Sequence, residues 1–165
     1  LAYVTDTSKA ERERGTTIDV SRRKLETPKY NMTIMDAPGH KKYLKNAMTG
    51  ASQADVGVLV VSAHKQEFEA GMSNPKVAGQ TRTHAQLAYT LGVRRLVVVV
   101  NKMDAVGFSK DIYKEIKSEV TLFLRSLGFD VEGKTNAPIH FIPVFALGGH
   151  NVVERSRLRQ HRLMD

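Results

Sequence analysis

The sequence predicts an α/β domain built on a mostly parallel sheet with helices on both faces, and three observations carry that prediction. Short apolar runs rich in β-branched residues, each bounded by turn or charge signals, recur at residues 56–61, 96–100 and 141–144. Segments of helical period separate them, so strand and helix alternate, and right-handed crossovers turn such an order into parallel βαβ units. The chain has 165 residues, 41% of them hydrophobic, which suits one core at about 150 residues per domain.

Taken in order, residues 22–26 are expected to pair with residues 32–35 as a hairpin through residues 27–31. The second of these strands stops at Asp36-Ala37-Pro38-Gly39, where proline and glycine break regular structure. Helical period follows at residues 43–48, 81–91 and 112–127, the last with Ile112, Ile116, Val120, Phe123, Leu124 and Leu127 on one stripe. Residues 66–79 read as the longest polar loop. Residues 154–165 form a charged tail with four arginines and no clear apolar stripe, so the expected domain runs over residues 1–153 and the tail stays unassigned.

Composition narrows the function classes. No run approaches the roughly 18 apolar residues of a membrane helix, so no membrane partner is expected. The chain has no cysteine, which excludes disulfides, thiolate metal sites and cysteine nucleophiles and fits a cytoplasmic location. A balance of 25 Lys and Arg against 17 Asp and Glu gives a net charge of +8 and favours polyanionic partners. The chain opens on Leu1 with no signal-peptide pattern, and is expected to begin inside a larger protein.

In parallel sheets, ligands bind beyond the carboxyl ends of the strands. Two motifs fall there: Asp36-Ala37-Pro38-Gly39-His40 after residues 32–35, and Asn101-Lys102-Met103-Asp104 after residues 96–100. A carboxylate at a strand end can hold a magnesium-bound water. A glycine three residues on lets a backbone N–H approach a terminal phosphate. The Asp36 and Gly39 spacing therefore suits a nucleotide γ-phosphate. A carboxylate at Asp104 can accept two hydrogen bonds from the N1–H and amino group of guanine; adenine would leave it unpaired, which costs more than the ~1–3 kcal/mol of a neutral group. The pair of motifs reads as a guanine nucleotide site with Asp36 and Asp104 in one crevice.

These motifs, together with Glu11-Arg12-Glu13-Arg14-Gly15-Thr16-Thr17-Ile18-Asp19 and Gly79-Gln80-Thr81-Arg82 with His84, resemble the translational GTPases. More narrowly, Glu67-Phe68-Glu69-Ala70-Gly71 and Leu87-Ala88-Tyr89-Thr90-Leu91-Gly92-Val93 resemble the elongation factor 1-alpha family of eukaryotes and archaea. The resemblance covers about residues 2–156 and is strongest up to Asp104. It implies a P-loop-NTPase-like G domain that binds GTP and GDP with magnesium, hydrolyses GTP to GDP, delivers aminoacyl-tRNA to the ribosome and is served by a nucleotide exchange factor. Thr17 would complete the magnesium shell and Asp36 would hold the metal through water. Ala37, Pro38 and Gly39 would line the γ-phosphate, and His40 would orient or stabilise the attacking water. Asn101, Lys102, Met103 and Asp104 would contact the base, joined by Phe145, Ala146 and Leu147. Segments 11–20 and 40–50 would be switches held by γ-phosphate and magnesium. Arg22, Arg23, Lys24, Lys41, Lys42 and Lys45 would add to a phosphate-attracting face for tRNA. Two alternatives remain: a release-factor or ribosome-rescue GTPase of the same superfamily, or a non-catalytic binding module derived from a GTPase.

The sequence departs from the family pattern at several points. The glycine-rich phosphate loop and the first strand, which the family places before Thr17, are expected to be missing, leaving the strands at 32–35 and 56–61 with unpaired facing edges. The chain alone is accordingly expected to fold marginally and to bind GTP poorly. Residues 128–135 fit the Walker A pattern letter by letter, but a helix leads in and a strand follows, the reverse of what a phosphate loop needs. Finally, Phe145 stands where the family usually has a serine that supports the base-reading carboxylate, and Arg155 where it tends to have proline.

Overall fold

The computed structural model describes residues 9–14, 17–43, 53–73, 79–135 and 137–153. Five strands and four α-helices make up the framework: α1 Lys9–Arg14, β1 Ser21–Glu26, β2 Asn31–Asp36, β3 Gly57–Ser62, α2 Lys65–Met72, α3 Gln80–Thr90, β4 Leu96–Asn101, α4 Lys110–Leu127 and β5 His140–Pro143.

The predicted hairpin is present. β1 and β2 pair antiparallel from Ser21 opposite Asp36 to Glu26 opposite Asn31. Its turn is closed by the Thr27 N–H donating to the Tyr30 carbonyl at 2.8 Å and the Thr27 hydroxyl accepting from the Tyr30 N–H at 2.8 Å. A second sheet runs β3-β4-β5 and is parallel throughout, with Val58 beside Val97, Val60 beside Val99 and Val99 beside Ile142. β2 and β3 belong to different sheets. The Arg22 guanidinium, donating to the Gln53 side-chain oxygen at 2.6 Å, ties the hairpin to the segment before β3.

Period-2 alternation decides which face of the parallel sheet is core. Leu96, Val98 and Val100 of β4 are buried with Leu59 and Val61 of β3 and Phe141 of β5, against Met72, Ala85, Ile116, Val120, Phe123 and Leu124 from α2, α3 and α4. The described helices α2 to α4 thus feed a single core. On β3, Val58 and Val60 point away from it and remain 64% and 56% exposed. The G-domain arrangement of parallel strands and crossover helices is present, while the second helix layer that the sequence led us to expect is not seen among the described residues.

Helix α4 shows why these residues form a helix here. Ser109 caps its first turn, its hydroxyl accepting from the Ile112 N–H, and Gly128 ends it in the left-handed region at φ 98°. The predicted stripe is buried at Ile116, Val120, Phe123 and Leu124, with Ile112 and Leu127 packed at its edges and Tyr113 added to it.

Two expectations are modified. Residues 66–79 are not one polar loop, because α2 occupies Lys65–Met72 and anchors itself through Met72 in the core and Phe68 beside it. Of the helix expected at residues 43–48, only Tyr43 is described, in a short 3-10 turn, Lys41–Tyr43, and the rest lies outside the described residues. The tail at 154–165 also lies outside them.

Candidate functional site: the ends of the parallel strands

The carboxyl ends of β3, β4 and β5 are stitched together by backbone and side-chain hydrogen bonds. Ser62 and Asn101 are register partners, and the Ala63 N–H donates to the Asn101 carbonyl at 2.7 Å. After β4 the chain turns sharply: Lys102 takes the left-handed conformation at φ 61° and leads into a 3-10 turn, Met103–Val106. The Asn101 side-chain oxygen accepts from the Lys102 N–H at 2.7 Å and from the Ala146 N–H at 3.1 Å. The Met103 side chain is buried and its N–H donates to the Val144 carbonyl at 3.3 Å. Of the residues expected to contact a base, the structure therefore brings Asn101, Lys102 and Met103 together with the segment that carries Phe145, Ala146 and Leu147. Asp104 is exposed in the same turn, and its carboxylate has no hydrogen-bond partner among the described residues.

The 145–150 segment is a tight reversal. Phe145 and His150 exchange backbone hydrogen bonds of 3.1 Å each way, and their rings stack at 5.8 Å. The Gly149 N–H closes the turn on the Ala146 carbonyl at 3.2 Å, with Gly149 itself at φ 74°. A Cβ at Gly148 would lie 2.4 Å from the Phe145 ring, so that ring packs directly on the turn. On its other side it meets Phe108 at 6.2 Å, edge on. Phe145 is thus part of an aromatic cluster, while the backbone of the next residue keeps its link to Asn101.

Asp36 ends β2, half-buried, followed by the exposed Ala37 and the buried Pro38. Gly39 has open space around it, with nothing within 4 Å of where a Cβ would be. His40 accepts the Lys42 N–H on Nδ1 at 3.2 Å, and its ring lies 6.0 Å from that of Tyr43. No hydrogen bond or ion pair among the described residues joins residues 36–40 to residues 101–104 or 145–147. Thr17 lies in the loop after α1, whose geometry is fixed by Glu11. That carboxylate is 3% exposed and its Oε1 accepts from the Ile18 N–H at 2.9 Å and the Asp19 N–H at 3.1 Å. The oxygen donors of Thr17 and Asp36 are the kind magnesium takes.

Two features escaped the sequence reading. One is the buried Glu11, which no spacing rule marks. The other is Glu67 on α2, whose carboxylate holds the Lys102 ammonium with Oε1 at 2.8 Å and Oε2 at 2.7 Å. The Walker A look-alike at residues 128–135 behaves as its context suggested. Its backbone N–H groups are taken by its own aspartate, Asp130, which accepts from Gly133 at 3.0 Å, Lys134 at 2.9 Å and Thr135 at 2.5 Å.

Against this geometry, residues 2–162 match the model of the family described as the elongation factor Tu GTP binding domain. The chain belongs to that family. Among curated relatives, elongation factor 1-alpha of Desulfurococcus mucosus is 53% identical over 158 residues, 94% of this chain and 34% of the relative. Elongation factor 1-alpha of Entamoeba histolytica is 50% identical over 155 residues, 94% of this chain and 33% of the relative. The chain spans about a third of the length of the curated relatives it matches. A solved structure of Sup35 complexed with GDP superposes with a TM-score of 0.65 and 38% identity, covering 93% of this chain and 33% of that one. The Ski7 GTPase-like domain of S. cerevisiae, bound to GDP and inorganic phosphate, gives a TM-score of 0.72 over 89% of this chain and 33% of that one; at 24% identity it shows the fold alone. Membership of the elongation factor Tu GTP-binding family accounts for the parallel strands and crossover helices. Among the described residues no helix is long and apolar enough to cross a membrane.

Proposed function

We propose that the protein is the guanine-nucleotide-binding part of a translation elongation factor of the 1-alpha type, which delivers aminoacyl-tRNA to the ribosome in the cytoplasm and hydrolyses GTP to GDP. The observation that supports it most is the Asn101 side chain, which ties the turn carrying Asp104 to the turn carrying Ala146. A base seated there would meet the Asp104 carboxylate on one edge and the backbone of residues 145–147 beside it. Guanine offers that carboxylate two donors, and an adenine would leave it unpaired. Identities of 50% and 53% to elongation factor 1-alpha sequences, against 38% and 41% to two Sup35 structures, favour the elongation reading.

Thr17 and Asp36 would hold magnesium, which when bound neutralises developing charge on the phosphates. Gly39, with no side chain in the way, would offer its N–H to the γ-phosphate. His40 accepts a backbone N–H on Nδ1, which leaves Nε2 as the ring nitrogen that would carry a proton and present a donor. That arrangement suits orienting a water against the γ-phosphate rather than removing its proton. The exposed Arg22, Arg23 and Lys24 of β1 would contribute to a tRNA-facing surface, and a nucleotide exchange factor would complete the cycle.

The test is a competition between GTP, ATP and XTP for the complete polypeptide that carries this sequence. Wild type should select guanine, and Asp104→Asn should move the preference towards xanthine, whose base replaces the guanine amino donor with a carbonyl. Unaltered discrimination in the variant would refute the assignment of Asp104.

A further inference from the structure

Glu67 and Lys102 are 35 residues apart in sequence, yet the carboxylate grips the ammonium with both oxygens, at 2.7 and 2.8 Å. Their meeting follows from the fold. Ser62 and Asn101 are neighbours in the β3-β4 register, so the segments that follow those two strands emerge side by side. Glu67 sits in the first turn of α2, next to Phe68, which packs on the core, and five residues before Met72, which is buried in it. Its backbone is therefore anchored from below. Lys102, by contrast, is held at φ 61°, a conformation that a residue with a Cβ enters only when its surroundings hold it there. One hold is local, the Asn101 oxygen on the Lys102 N–H. The second is Glu67, acting at the far end of the same side chain.

We infer that Glu67 is a positioning residue for the nucleotide site: by clamping the Lys102 ammonium from α2 it keeps the turn from Asn101 to Asp104 in the shape that receives the base. The inference rests on the guanine-site reading above and goes further, since it adds a control point on a different element. The clamp is made of two side chains each about half exposed, so it acts as a brace and not as a lock. Loss of such an exposed pair changes an equilibrium by about two- to fivefold, and because the brace preorganises the bound shape, the change falls mainly on the dissociation rate. Salt screens it.

The experiment measures release of a fluorescent GDP analogue from the complete polypeptide, as wild type, Glu67→Gln and Glu67→Lys, at low and at high salt. Release should quicken about two- to fivefold in Glu67→Gln and more in Glu67→Lys, where ammonium faces ammonium. The gap between wild type and Glu67→Gln should shrink as salt rises, a signature that a general loosening of α2 would not give. Thermal midpoints of wild type and Glu67→Gln should differ by no more than about 4 °C, the shift that loss of one exposed pair allows. Equal release rates in all three proteins at low salt, or a gap that salt leaves untouched, would overturn the clamp while leaving the guanine site standing. A wild type that shows no preference for guanine over adenine nucleotides would instead bring down the functional reading, and the clamp with it.

Discussion

The side-chain oxygen of Asn101 reaches the backbone N–H of Ala146, 45 residues further along, at 3.1 Å, while also accepting the N–H of its own successor, Lys102, at 2.7 Å. One amide thus holds two turns in register. Asn101→Ala removes the shared acceptor and with it both hydrogen bonds, and at about 0.5–1.5 kcal/mol for each hydrogen bond the variant should lose about 1–3 kcal/mol in urea unfolding. Asn101→Asp, which keeps the accepting oxygens, should lose less. Amide exchange at Ala146 should accelerate in Asn101→Ala and only slightly in Asn101→Asp.

Where the chain carries an apolar run, the fold was legible. Residues 96–100 and 141–144 coincide with β4 and β5 to within a residue, because a strand buried on one side among branched neighbours leaves little choice of period. α4 was legible for the same reason, with Ile116, Val120, Phe123 and Leu124 recurring on one stripe. α2 was not. Its eight residues include only Phe68 and Met72 as large apolar groups, one turn apart, and Gly71 lowers its helix propensity, so tertiary packing decides the matter. In the candidate site, the motif after β4 and its partner segment after β5 were readable as strand-end turns. The Glu67 to Lys102 clamp was not, because it exists only once β3 and β4 are in register. The aromatic stack of Phe145 on His150 was equally hidden, since a single Phe replacing Ser says nothing about where its ring goes.

Tyr113 links α4 to the sheet, its hydroxyl donating to the Phe141 carbonyl at 3.0 Å in the buried core. Burial raises its pKa above the ordinary tyrosine value. Above the unfolded pKa of about 10, the unfolded chain gives up a proton that the folded one retains, so stability falls as pH climbs through that region. Tyr113→Phe should cost about 1 kcal/mol at neutral pH. Between about pH 9 and pH 11, around the ordinary tyrosine pKa, its unfolding free energy should fall less steeply than that of wild type. Parallel curves for the two proteins would show that this hydroxyl does not carry the effect.

His84, half-buried on α3, has its pKa lowered by desolvation, with hydrogen bonding to the Gln80 backbone pulling weakly the other way. Its Nε2 is buried without a hydrogen-bond partner among the described residues. The folded state therefore keeps the ring neutral at a pH where the unfolded chain already takes up a proton. Its contribution to stability is constant above the unfolded pKa of about 6.5 and diminishes as pH falls from there towards the lowered folded value. His84→Gln, which cannot titrate, should flatten the loss of stability between about pH 7 and pH 5, a window centred near the unfolded histidine pKa. Chemical unfolding of both proteins at several pH values across it checks this.

Two glycines separate fold from function. Gly79, the residue before α3, is buried, and a Cβ there would lie 2.1 Å from the Gly71 carbonyl oxygen and 2.5 Å from that of Ala70. Those are backbone atoms of α2 and cannot swing aside, so Gly79→Ala must pry α2 from α3 and should cost at least the ~1–3 kcal/mol of an overpacked core. Gly39 has no atom within 4 Å of its would-be Cβ and no positive φ, so Gly39→Ala should leave stability within about 0.5 kcal/mol of wild type. Its effect should appear only with nucleotide: if the Gly39 N–H approaches a γ-phosphate, the added methyl intrudes there, and affinity for GTP should drop while affinity for GDP holds. Paired titrations of the complete polypeptide with GTP and GDP read this out, and an equal change for both nucleotides would remove Gly39 from the γ-phosphate.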